Sequence, residues 1–254
     1  CQRSAARTYY VRTDGSDGNT GLTDSSGGAF LTIQKAVDIA SALDNGGFDV
    51  TIQVRNGTYT GAVTLKTFVG SGIIYIQGDT TTPANVLIST TSATCFTATG
   101  VLGVYHVRGF ELRTTTGGHG IFASAKSVVY FSHMRFGTIV DVCLWALEGS
   151  LIKGLSNYTI SGNQGIHMWA ADAGSTVFVA GLTITVSGTP NFSARFAGFS
   201  EGGSVIAHAT TYSGSATGKR YEGNGNSICF VNGAGTSHFP GNSAGTLAND
   251  AVYY

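Results

Sequence analysis

Three acidic residues have a spacing that suits bond-breaking chemistry. Glu148 and Asp172 each lie three residues beyond a tryptophan, Trp145 and Trp169, and Glu201 stands one interval further on. If the chain coils with that interval, the three carboxylates stack in neighbouring turns. Carboxylates about 5–9 Å apart are what glycoside hydrolysis requires, one as acid and the other as base or nucleophile. Stacked carboxylates also repel one another. Each of the three sits beside Gly or Ala in an expected turn, so the plainer reading is a solvated acid. Glu148, Asp172 and Glu201 are catalytic candidates only if the chain is an enzyme.

A second set of residues can bind. Phe122, Trp145 and Trp169 recur at intervals of 23 and 24 residues, and Arg195 and Arg220 continue the series at 26 and 25. Side chains alternate faces along a strand. Alternation turns Val142, Leu144, Ala146, Ile166, Met168 and Ala170 inward, and Trp145, His167 and Trp169 outward. A row of aromatic rings and planar guanidiniums suits stacking on the apolar faces of sugars, and an exposed apolar stripe usually marks a binding surface. Phe122, Trp145, His167, Trp169, Arg195 and Arg220 are therefore the candidate glycan-binding set. The same stripe would equally serve to pack against a neighbouring chain.

The remaining candidates are weaker. His106, His119, His133, His167, His208 and His238 show neither a Ser–His–Asp pattern nor zinc-ligand spacing. The run Asp14-Gly15-Ser16-Asp17-Gly18-Asn19 is oxygen-rich but lacks the downstream Glu of a helix-loop-helix calcium site. It reads as a cluster of Asx and Gly turns. No metal and no cofactor is expected.

The elements that would position these groups come from a repeat. Lines beginning at Ile121, Leu144, Met168, Arg195 and Arg220 each run through a small polar turn to a serine: Ser127, Ser150, Ser175, Ser204 and Ser227. Those serines lie 23, 25, 29 and 23 residues apart. A β-rich run follows each of them. A degenerate period in the twenties, rich in β-branched and aromatic residues, is the signature of a β-solenoid. After the serines the expected inward residues are Val129, Phe131, Ile152, Val177, Val179, Ile206, Cys229 and Val231. Tyr130, Phe178 and Phe230 should point out, with Lys153 and Ala207 between them. The exception to strand patterning is Thr32 to Leu43, where Ile33, Ala36, Val37, Ala40 and Leu43 share a helical face. Thr32 is its N-cap, and Asn45-Gly46-Gly47 ends it. Such a helix would cover the open end of the first coil.

Composition narrows the function classes. Of 254 residues, 42 % are hydrophobic, enough for a sizeable core, and the net charge is +0, which disfavours a nucleic-acid partner. No apolar run approaches the ~20 residues of a membrane span. The four cysteines, Cys1, Cys95, Cys143 and Cys229, are far apart and read as buried free thiols. With Cys1 at its start and no initiating Met, the chain is expected to be a processed product or part of a longer protein.

The order Thr32-Ile33-Gln34-Lys35-Ala36-Val37, Ile52-Gln53-Val54, Asn56-Gly57-Thr58-Tyr59, Val63-Thr64-Leu65 and Ile74-Tyr75-Ile76-Gln77-Gly78 resembles the opening of the pectin-lyase-like parallel β-helices. That resemblance covers roughly residues 8–112 at motif level. It implies an all-β, right-handed parallel β-helix with a short N-terminal capping helix. The implied divisions are an arm (1–30), the capping helix (31–47), the β-helix (48–235) and a C-terminal tail (236–254). The Gln-Asp-Thr, Asp-Phe-Ile-Phe-Gly and Arg-Pro-Trp segments of the pectin methylesterases are absent, as is the aspartate cluster of the pectate lyases. Phe239-Pro240-Gly241-Asn242 is similar to the closing segment of phage β-helical tail proteins. The resemblance to that tailspike and tail-fibre branch implies a virion spike or fibre module that attaches to bacterial surface glycan outside the cell. It also implies a homotrimer, with Tyr130, Phe178 and Phe230 near its axis, and other phage tail proteins as partners. The alternative is a polysaccharide depolymerase on the same fold.

Overall fold

A computed structural model of the chain describes residues 4–254. Cys1, expected to be a buried thiol, lies outside the described residues. Burial of every second residue in Val50–Val54 or Ile74–Gln77 leaves one face of each strand to pack inward. Neither strand can satisfy its backbone alone. Each pairs in parallel with the strand one coil earlier and one coil later, and the result is a β-solenoid of about eight turns. Successive turns visit a ten-stranded, a seven-stranded and a nine-stranded sheet in that order. Ten strands at about 4.8 Å spacing give a body roughly 43 Å long.

The expected helix forms over Ile33–Ser41 and buries Ile33, Ala36, Val37 and Ala40. Thr32 caps it, its hydroxyl accepting from the Lys35 N–H at 3.1 Å. The helix stops before Leu43, which is 37 % exposed instead of facing the core. It packs against Arg7–Val11, Val50–Val54 and Val63–Thr64, across the open end of the first coil. Arg7–Val11, within the expected arm, adds a strand to the ten-stranded sheet. The oxygen-rich loop is already occupied. Asp17 accepts from the Leu31 and Thr32 N–H groups at 3.0 and 2.9 Å and from the Thr32 hydroxyl at 2.8 Å, while Asp14 pairs with Arg12.

Inside, the post-serine strands bury Val129, Phe131, Ile152, Val177, Val179, Cys229 and Val231 as expected. Ser127, Ser150, Ser175 and Ser227 form a buried ladder in the turns. The Ser127 N–H donates to the Ser150 hydroxyl, and the Gly149 N–H to that of Ser175, both at 3.0 Å. Ser204 does not belong to it. Gly203 holds the ladder position, where a Cβ would come 2.4 Å from the Ala170 carbonyl oxygen. Ser204 instead opens the next strand, in register with Thr176. The one-residue slip exchanges faces. Val205 and Ala207 point in, and Ile206 joins Phe178 and Phe230 on the outside.

The far end closes differently. The expected tail supplies two more strands, Thr246–Leu247 and Val252–Tyr253. Phe239 folds across the last coil, buried to 1 % exposure against Phe196, Tyr212 and Tyr253. Cys95, Cys143 and Cys229 are buried free thiols.

Candidate binding faces and turn carboxylates

The nine-stranded sheet carries the expected aromatic ladder in altered form. Phe122, Trp145, Trp169, Gly198 and Glu222 are successive partners in register. The two indoles stack in parallel, with centroids 5.2 Å apart and 7° between planes. Phe122 meets Trp145 edge-on at 5.1 Å, and His119 meets it at 4.6 Å. Among the described residues the Trp145 indole N–H is buried without a hydrogen-bond partner, and that of Trp169 donates to Ser200 at 3.3 Å.

Arg195 is not the next rung. It stands in register with Ile166, and Gly198 takes the rung beside Trp169. A Cβ at Gly198 would lie 2.8 Å from the Arg195 Nε and 3.2 Å from the Trp169 ring. Its absence admits the guanidinium, which sits 5.3 Å from the Trp169 ring centroid. Glu222, the next rung, then pairs with Arg195 at 2.5 Å and with Lys219 at 2.7 Å. The Lys219 ammonium, with Arg195, holds the Glu222 carboxyl below the usual carboxylate range. Ring pairs and a cation over a ring contribute about 0.5–1.5 kcal/mol each. The ladder is thus a rigid stack whose ring faces cover one another, and its partly exposed rings leave edges for a ligand.

Two other members of the expected set lie elsewhere. His167 is fully buried. The nine-stranded sheet turns two consecutive residues inward at its first corner: Cys143-Leu144, His167-Met168 and Phe196-Ala197. Register shifts between Ile139 and Val142 and between Gln164 and Ile166 accompany that corner. Simple alternation fails there, and Val142 and Ile166, expected inside, are buried but outside the core cluster. His167 Nδ1 lies 2.8 Å from Gln164 Oε1, and Nε2 lies 2.9 Å from the Tyr158 hydroxyl. A carboxamide oxygen only accepts, so Nδ1–H donates to it and Tyr158 O–H donates to Nε2. Burial pushes the imidazole pKa down to about 3, so it stays neutral. Arg220 falls at the register of Phe196, because Ala197 pairs with Tyr221. It lines a cleft near the closing loop, away from the tryptophans.

The acids do stack. With Ala146 opposite Ala170 and Ala171 opposite Ser200, the residues Glu148, Asp172 and Glu201 occupy matching places in consecutive turns. All three have left-handed backbone, φ 52°, 68° and 53°. Glu148 and Glu201 are exposed and Asp172 partly so. The Glu148 carboxylate accepts from the Ala125 N–H at 3.1 Å. Ala173 makes the Asp172 turn one residue longer than its neighbours.

The outer row of the ten-stranded sheet holds Tyr130, Lys153, Phe178 and Phe230 in register as expected, and sequence reasoning missed Tyr75, His106 and Ile206 in it. Tyr75, His106, Tyr130, Lys153, Phe178, Ile206 and Phe230 are successive partners, and the Tyr254 ring extends the row at 5.0 Å from Phe230. Intervals of 31 residues from Tyr75 to His106 and 28 from Phe178 to Ile206 break the period at the missed members. Among the described residues no group of three His, Cys, Asp or Glu could hold a metal ion. No family model, no curated protein and no solved structure matches the chain.

Proposed function

We propose that the chain is a structural module of a phage spike or tail fibre that recognises bacterial surface glycan. On this reading the solenoid is right-handed and pectin-lyase-like, and it acts outside the cell on the host surface. The observation that carries the proposal is the pair of half-exposed aromatic rows, one on each of two sheets of a long rigid body. Stacking fixes the ring edges of Phe122, Trp145 and Trp169 before any ligand arrives, which lowers the ordering cost of binding. The row through Tyr130, Phe178 and Phe230 would be covered by threefold packing of identical chains, since closed symmetry hides one such face per chain. Lateral packing and glycan contact then use different faces.

The test is retention of the chain on immobilised bacterial surface polysaccharides. Trp169→Ala should weaken retention at least about tenfold, because it removes a ring and releases Arg195. Unchanged retention would remove the ladder from the site. Light scattering at micromolar concentration should give a trimer, and a monomer would contradict the packing. The stacked Glu148, Asp172 and Glu201 favour a second reading, a polysaccharide depolymerase, which requires release of reducing ends.

A further inference from the structure

Arg220 occupies the corner position that earlier coils fill with buried Cys143, His167 and Phe196. A guanidinium in that row is out of keeping with an apolar core. In the last coil the row opens into a cleft of about 560 Å³, between the Tyr212–Ala216 turn and the closing loop Ser237–Asn242. That volume lies within the range of small-molecule sites. Among the described residues no Asp or Glu lines the cleft, and Arg220 is the one Arg or Lys in its wall. The Arg220 Nε is buried without a partner among the described residues, and Nη1 reaches only the Ser243 carbonyl oxygen among them, at 3.4 Å. The Tyr212 hydroxyl, on the same wall, is also buried without a partner among the described residues.

We infer that this cleft binds a carboxylate-bearing sugar, with Arg220 as the anion anchor. The inference deepens the glycan-recognition reading and rests on it, but places the acidic group on a different face from the tryptophans. One planar guanidinium matches one carboxylate through two parallel N–H···O bonds. A phosphate dianion would call for more positive charge than this wall offers. The rest of the cleft suits a polyhydroxylated body. Ser215 and Ser237 supply hydroxyls. His238 Nε2 lies 3.1 Å from the Ala207 carbonyl oxygen and donates to it, which leaves Nδ1 as an acceptor for a sugar hydroxyl.

The test titrates the intact chain with glucuronic acid, with glucose as the uncharged control and acetate as the bare carboxylate. Saturable binding of glucuronic acid at least about tenfold tighter than either control is expected. Arg220→Gln should lose at least about tenfold, and Arg220→Lys less, because an ammonium keeps the charge without the fork. Equal binding of glucose, equal binding of acetate, or parental affinity in Arg220→Gln would overturn the assignment. Should Arg220→Gln fail to fold, the His238 ring resonances of the parent decide. They shift on adding glucuronic acid if the site is here, and unshifted resonances at saturation overturn it. Trp169→Ala separates the two claims: lost polysaccharide retention with intact glucuronic acid binding supports both faces. Parental retention sinks the ladder alone.

Discussion

The two ends of the solenoid solve one problem in different ways. Each end leaves apolar interior and unpaired strand edges, which invite aggregation. At the N-terminal end an amphipathic helix lays Ile33, Ala36, Val37 and Ala40 over the first coil, all at 3 % exposure or less. At the C-terminal end a loop inserts one large ring, Phe239, while Leu247 and Val252 in the last strands stay 44 % and 46 % exposed. The helix spreads its seal over four side chains, whereas the loop concentrates it in one. In a solenoid each coil touches only its neighbours, so stability is set locally and damage at one end need not reach the other.

The largest effect expected is from Val37→Asp. A carboxylate forced into that fully buried position costs several kcal/mol. The variant should lose cooperative unfolding in urea or fail to express, and a parental denaturation curve would show that the helix is no seal. Phe239→Ala comes next, at about 3–5 kcal/mol from lost burial and the cavity left behind. Amide exchange should quicken around Tyr212 and Tyr253 and stay slow in the helix. Equal quickening at both ends would break the comparison, because it would mean the body unfolds as one unit.

What could be read in advance at each end follows the same division. The helix shows in the sequence because its period of 3.6 contrasts with strands on either side. Phe239 carried no such signal: a single aromatic in a turn-rich segment looks the same whether buried or exposed. Phe239-Pro240-Gly241-Asn242 carries a resemblance and no burial pattern. Within the body, alternation placed Val129 and Val177 correctly because their strands keep an unbroken register. It placed Leu144 and Met168 correctly because they follow the corner and pair in register, as Ala146 and Ala170 do. It misplaced His167 because the corner turns two residues inward, and it misplaced Ile206 because Gly203 stands where the repeat has serine. Arg195 and Arg220 were put on the ladder by spacing alone. The longer coil before Gly198 moved both off it. The acids stacked as expected, since each stands three residues beyond its rung, Trp145, Trp169 or Gly198.

Acid sharpens the comparison by attacking the middle. Burial lowers the pKa of His167 to about 3 and of His106 to about 4, both below the ordinary value near 6.5. The unfolded chain therefore takes up protons first as pH falls. Stability is full above about pH 6.5 and drops toward the folded values, by up to about 1.4 kcal/mol per pH unit for each histidine. Melting between pH 7 and 4.5 should show this, with exchange quickening near Tyr158, whose hydroxyl bonds His167, and in the closing loop, where burial also lowers the pKa of His238, but staying slow in the N-terminal helix. A flat profile over that range would contradict the buried neutral His167. The smallest effect expected is from Trp145→Leu, about 1–2 kcal/mol from lost ring stacking. The urea midpoint should fall accordingly, and an unchanged midpoint would show that the stack contributes nothing to stability.

The claim that this solenoid holds glycan without cutting it is tested most directly by one incubation. The intact chain is mixed with the bacterial surface polysaccharide that retains it, and new reducing ends are counted. Retention with no increase in reducing ends over a day is the predicted result. Reducing ends that accumulate with the parent and disappear with Glu148→Gln/Asp172→Asn would contradict it.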